Sequence, residues 1–125
     1  MARFWIFIAA INGACAVMAD AAARHGTGGN LQAVEWLATG ARYGLIHAAA
    51  LLALALLPPA GGRVARLLLV VSGWSVAAGM LLFSGGLYGL ALDWGRLLPV
   101  IPAGGTLFIL GWVALALHAL LRGRG

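Results

Sequence analysis

Residues 64–92 read VARLLLVVSGWSVAAGMLLFSGGLYGLAL and carry one charge, Arg66. A membrane-spanning helix needs about 20 mostly apolar residues. This run exceeds that length, so it is long enough to cross a bilayer while tilting or protruding. Working outward, three more runs of the same kind stand at Phe4–Ala23, about Ala41–Leu57 and about Val100–Leu121. The second is stopped by Pro58-Pro59, which cannot continue a helix. Gly- or Pro-bearing connections separate the runs at 26–30, 58–62 and 93–99. Between the first two runs, Leu31, Val34 and Leu37 fall at three-residue spacing among Gln32, Glu35 and Trp36. That pattern predicts a short amphipathic helix over 31–40, lying on the membrane surface and N-capped by Asn30. The expected fold is an all-α integral membrane protein: a single domain over 1–125, a bundle of four transmembrane helices with a short interfacial helix between helices one and two.

Composition argues the same way. Apolar residues make up 63% of the chain and charged residues 9%, against about 45–50% and about 25% in soluble domains. Mean hydropathy is +1.01. A soluble domain this small keeps much of its surface exposed and has nowhere to hide so much apolar area. The net charge of +5 does not indicate a nucleic-acid partner. All the basic residues are Arg, set singly or in pairs between apolar runs, with no stripe to follow a phosphate backbone. Cys15 is the sole cysteine and lies inside the first run, so it forms no internal disulfide or Cys-x-x-Cys pair and reads as a small buried hydrophobe. Arg3 followed by an apolar run has the outline of a signal peptide, and Ala19-Asp20-Ala21 resembles a cleavage site. The run is nonetheless longer than the usual ~7–15 residues, and the segment reads as a retained helix.

With four spans, both termini and the 58–66 loop share one side, which carries Arg3, Arg63, Arg66, Arg122 and Arg124. The other side carries Arg24, Arg42 and Arg96, and all three acids, Asp20, Glu35 and Asp93. By the positive-inside rule both termini are expected in the cytoplasm.

That orientation places the polar residues at one depth. Asp20 and Arg24 are four apart and can pair near the outer end of helix one, with His25 at the boundary. Arg42, Tyr43 and His47 come next in helix two, and Ser84 and Tyr88 share a face of helix three. Polar groups in a bilayer are costly and worth examining first. The expectation is an outer-side polar pocket formed by Asp20, Arg24, His25, Arg42, Tyr43, His47, Ser84 and Tyr88. Each also has a plain explanation as an ion pair, an interfacial anchor or a helix-packing bond. Gly85, Gly86, Pro102, Gly104 and Gly105 read as close helix packing or as backbone lining a cavity. No cofactor is expected. His47 and His118 stand on the order of 15 Å apart in depth, too far for one haem iron. A zinc site lacks its third and fourth ligands, and no phosphate-binding or nucleophile motif is present.

Three stretches resemble a known family. Phe83-Ser84-Gly85-Gly86-Leu87-Tyr88-Gly89-Leu90-Ala91-Leu92 is similar to its Phe-Ser-Gly-Ser-Leu-Tyr-x-Leu-Ala-Leu signature. Pro102-Ala103-Gly104-Gly105 through Gly111-Trp112 is similar to its Pro-x-Gly-Gly-x-x-Phe-x-x-Gly-Trp signature, and Tyr43 through His47-Ala48 to its Tyr-Gln-x-x-His-Ala element. The family is domain-of-unknown-function family four-two-three, small bacterial inner-membrane proteins with a eukaryotic relative. The chain departs from it at Gly44, where Gln is usual, and over Asp20–His25, where only the second Ala and the His match Gly-Ala-x-Gly-Ala-His. The resemblance implies a four-helix protein of the bacterial inner membrane and no established activity.

Three roles are compatible with these residues. The first is a structural or accessory membrane component, as a homo-oligomer or with a membrane-protein partner, surrounded by membrane lipid. The second is a small oligomeric transporter or channel. The third is an outer-leaflet lipid-binding protein or enzyme with His47, Tyr43 and Tyr88 as acid–base candidates. No catalytic set is visible, and catalytic residues are unassigned.

Overall fold

The structure, a computed structural model, describes residues 1–123 and is helical throughout its regular parts. Arg124, counted above with the terminal arginines, lies outside the described residues. Four helices are long and apolar enough to cross a membrane: α1 (Ala2–His25), α2 (Leu31–Leu56), α3 (Arg63–Ala91) and α4 (Val100–Leu121). The start of α1, the end of α4 and the 57–62 loop lie at one end of the bundle, and the 26–30 and 92–99 loops at the other.

One expectation needs correction. The segment 31–40 is not a separate surface helix but the first turns of a 26-residue α2. Asn30 caps it as expected, its side chain accepting from the Ala33 N–H at 3.2 Å. The helix then runs through Gly40 without a break. Gly40 is buried against α3, where an added Cβ would stand 2.6 Å from Tyr88 Cε1. Gly40 is therefore a packing position inside one continuous helix.

α3 is also more than a plain span. Its α-helical stretches Arg63–Gly79 and Gly85–Ala91 are joined by a π-helical turn, Met80–Ser84. A π turn inserts extra backbone and rotates the helix beyond it. Before the turn, α3 packs on α4; after it, mainly on α2. α3 ends in a Schellman closure, with Asp93 N–H donating to Leu90 O at 3.1 Å and Trp94 N–H to Gly89 O at 2.8 Å. Asp93 takes the left-handed position, φ 59°, that such an ending requires.

Small residues recurring every seventh position make the two main seams. Along α3 and α4, Ala65, Ser72 and Gly79 run opposite His118, Gly111 and Gly104. Along α1 and α2, buried Ala9, Ala16 and Ala23 run past Leu51, Gly44 and Leu37. Heptad spacing keeps a seam aligned along two shallowly crossed helices, and small side chains let the backbones approach where lipid offers no hydrophobic drive. The larger core, with Trp5, Leu51, Leu54, Val76, Met80 and Phe108, fills the terminal and middle portions. A smaller alanine-rich core joins α1 to the start of α2.

Gly104 makes the tightest approach to backbone: a Cβ there would collide with the Phe83 backbone nitrogen. Gly13, by contrast, has nothing within 4 Å of such a Cβ. Gly104→Ala is expected to cost about 1–3 kcal/mol by overpacking, while Gly13→Ala is neutral or slightly stabilising through helix propensity. Thermal unfolding of both variants in one detergent measures the difference.

Candidate functional site

The eight residues expected to share a pocket do not line one. Phase along each helix separates them. Asp20 and Arg24 form the expected i,i+4 ion pair, Nε to Oδ2 3.1 Å, but at the surface, with side chains 43% and 70% exposed. Such a pair contributes little. His25 and Arg42 are exposed as well. Of the remaining four, Tyr43 and His47 line one site, Tyr88 lines another, and Ser84 is fully buried between α3 and α2.

The first is a groove of about 330 Å³ between α2 and α4 over the π turn of α3, lined by Tyr43, His47, Phe83, Gly105, Phe108 and Trp112. His47 is buried, and both its ring nitrogens are engaged. Nε2 accepts from Trp112 Nε1–H at 3.1 Å. An indole N–H only donates, so the other nitrogen carries the proton and Nδ1–H donates to the Tyr43 carbonyl at 2.8 Å. This tautomer is assigned from the bonding pattern. Phe108 stacks on the imidazole at a centroid distance of 3.6 Å and 12° between planes, and Tyr43 tilts against Phe83 at 4.9 Å. His47 thus ties α2 to α4, two helices that otherwise pack little against each other. Tyr43 supplies a carbonyl and an aromatic face, while its hydroxyl forms no hydrogen bond with the described residues.

The second site is a cavity of about 490 Å³ between α1, the start of α2 and the end of α3. Its walls are mostly small or apolar. Thr27, Asn30 and Trp94 lie at its loop end, with Cys15 and Tyr88 further in. The Tyr88 hydroxyl is buried without a hydrogen-bond partner. Its polar neighbour across the Gly44 position is Ser84, whose hydroxyl donates to the Gly40 carbonyl at 2.8 Å.

The glycines divide between the two roles foreseen for them. Gly104 and Gly86 are packing positions, the latter with the Ile101 side chain 2.9 Å from an added Cβ. Gly85 and Gly105 are half-buried and line the cavity and the groove respectively. Pro102 sits exposed in the first turn of α4, where its missing N–H costs nothing, and its carbonyl accepts from Thr106.

Sequence reasoning missed three residues. Ser72 donates to the Gly111 carbonyl at 2.8 Å, and His118 holds the Ala65 carbonyl at 2.7 Å through Nδ1. Their sevenfold spacing with Gly79 and Gly104 was the available signal. The third is Trp112, present in the sequence motif but visible as the His47 partner only in three dimensions. Trp112→Phe strands His47 Nε2 without a donor and is expected to cost about 1–3 kcal/mol. Tyr43→Phe leaves the carbonyl and the ring in place and is expected to be neutral. Equilibrium unfolding in detergent distinguishes the two.

Residues 19–105 match the family model described as "Protein of unknown function (DUF423)". The chain is 38% identical over 119 residues to a UPF0382 membrane protein of Haemophilus influenzae, covering 93% of each. It is 36% identical over 124 residues to the UPF0382 inner membrane protein YgdD of Escherichia coli K12, covering 94% of this chain and 90% of that one. With the UPF0382 membrane protein YwdK of Bacillus subtilis it shares 32% over 120 residues, covering 94% and 96%. No solved structure matches it significantly. Four spanning-length helices, the matched signature stretches and identity along nearly the whole chain lead to one conclusion: this is a multi-pass membrane protein that belongs to the DUF423 family.

Proposed function

We propose that the protein is a non-catalytic structural or accessory component of the bacterial inner membrane, acting through protein partners or further copies of itself, with both termini in the cytoplasm. The observation that carries this reading is how its buried polar side chains are used. Among the described residues the four buried polar side chains are His47, Ser72, Ser84 and His118. Each takes part in a hydrogen bond that joins two helices: α2 to α4, α3 to α4, α3 to α2 and α4 to α3. A transport path needs polar groups free to exchange partners at mid-membrane, and general acid–base catalysis needs a group free to move a proton. In this bundle each of the four commits at least one polar atom to packing, His47 both of its ring nitrogens, while His118 Nε2 has no partner among the described residues.

A lipid-binding role at the outer leaflet is the second reading. It is favoured by the cavity of about 490 Å³ whose polar lining gathers at the loop end, as an amphiphile would require. Lipid retained specifically after gentle-detergent purification, and displaced by Gly85→Leu, would favour it.

The main reading is tested in proteoliposomes and in cells. Ion or proton flux is expected to equal that of protein-free vesicles, and His47→Ala is expected to lower stability without altering flux. Photo-crosslinking from the exposed positions Ile109 or Leu120 of α4 is expected to capture a second polypeptide in native membranes. Flux above background that disappears in His47→Ala while the fold persists would refute the structural reading. Reporter fusions at each terminus test the orientation.

A further inference from the structure

A second groove runs between α1 and α3, with a volume of about 410 Å³. Its walls are apolar and partly aromatic, with Phe4 and Phe7 from α1 and Trp74, Ala77 and Leu81 from α3. One polar side chain enters it, Asn12. Asn12 is half-buried and makes no hydrogen bond with any described residue. It stands ten residues into a 24-residue helix, about 15 Å along the axis at 1.5 Å per residue. That is the middle of a hydrocarbon core about 30 Å thick. An amide offering both donor and acceptor at that depth is expensive to leave unsatisfied.

Depth and shape constrain the group that could complete it. A phospholipid acyl chain carries no polar atom at the bilayer midplane. A helix from a second copy is about 10 Å across and would ride on the rim, where Phe7 and Leu81 stand 62% and 71% exposed. Asn12 is less exposed than these two and lies on the face of α1 that also carries buried Ala9, Ala16 and Ala19. A ring bearing a carbonyl or hydroxyl, joined to an apolar tail, brings a polar atom to Asn12 and apolar surface to the rest of the groove. A mostly apolar, aromatic-lined pocket of a few hundred Å³ with one placed polar group is the common form of a small-molecule site.

We propose that the α1–α3 groove binds a lipid-soluble quinone or quinol, with a ring oxygen hydrogen-bonded to the Asn12 amide and the tail lying along Phe7, Phe4 and Trp74 toward the terminal end of the bundle. The site is separate from the His47 groove and shares no residue with it.

The test uses the full chain in phosphatidylcholine nanodiscs, titrated with decylubiquinone while tryptophan fluorescence is followed. Wild type is expected to show saturable quenching, with the saturable part lost in Trp74→Phe. Asn12→Leu is expected to weaken binding about tenfold, the equivalent of one hydrogen bond. Asn12→Gln, which keeps the amide, retains most of it, and Tyr43→Phe in the other groove leaves it unchanged. Without quinone, Asn12→Leu is expected to melt no lower than wild type, because it removes an unbonded polar group from lipid. Quenching that is linear in quinone, or equal in wild type and Asn12→Leu, overturns the proposal. So does a dimer in wild-type nanodiscs that Asn12→Leu converts to monomer, since a second copy would then occupy the groove.

Discussion

The approach of α3 and α4 at Gly104 is the constraint on which the rest of this structure depends. There the space of one side chain is given up to the Phe83 backbone, and Gly79, facing it, and Gly111, two turns along α4, give up space to Phe108 and Val76. Lipid tails solvate leucine as well as another leucine does, so helices in a bilayer are held by close contact and hydrogen bonds rather than by expulsion of water. Once α3 and α4 are this close, Ser72 reaches the Gly111 carbonyl and His118 the Ala65 carbonyl. The bonds are consequences of the seam as much as parts of it.

The π turn extends the same logic across the bundle. A straight α3 would keep one face on α4 along its whole length. The turn at Met80–Ser84 instead delivers Ser84 and Tyr88 to α2, where Gly40 and Gly44 leave room for them. It also opens the wedge between α2 and α4 that His47, Phe108 and Trp112 fill. A polar group left alone in hydrocarbon is costly. His47 avoids that by engaging both nitrogens, and this engagement sets it apart from the free histidines of catalytic or transport sites. Asn12, with no such partner, stands out for the same reason.

Much of the fold was legible in the chain. Run length and Pro58-Pro59 located the spans, because twenty apolar residues have few other fates. Asn30 announced the start of α2 by its side-chain chemistry. The boundary drawn between 40 and 41 was wrong: α2 runs through Gly40, whose missing side chain admits Tyr88. Of the candidate site, the residue types were legible but not their grouping. Tyr43–His47 and Ser84–Tyr88 each share a face of their own helix, yet nothing in that spacing says that Tyr43 and His47 open on a groove with α4, Tyr88 on a cavity with α1, and Ser84 on neither.

The sequence by itself determined that the chain is membrane-embedded, how many times it can cross, and which residues are too polar to be idle there. Those properties arise from local composition and helix length, which a single chain carries without reference to its neighbours. Tertiary structure decided the partners: Trp112 for His47, Gly111 for Ser72, Ala65 for His118 and, among the described residues, none for Asn12. The physical reason is rotational. Each helix can turn about its own axis without changing its hydropathy, and only the steric fit of glycine against backbone fixes which face meets which.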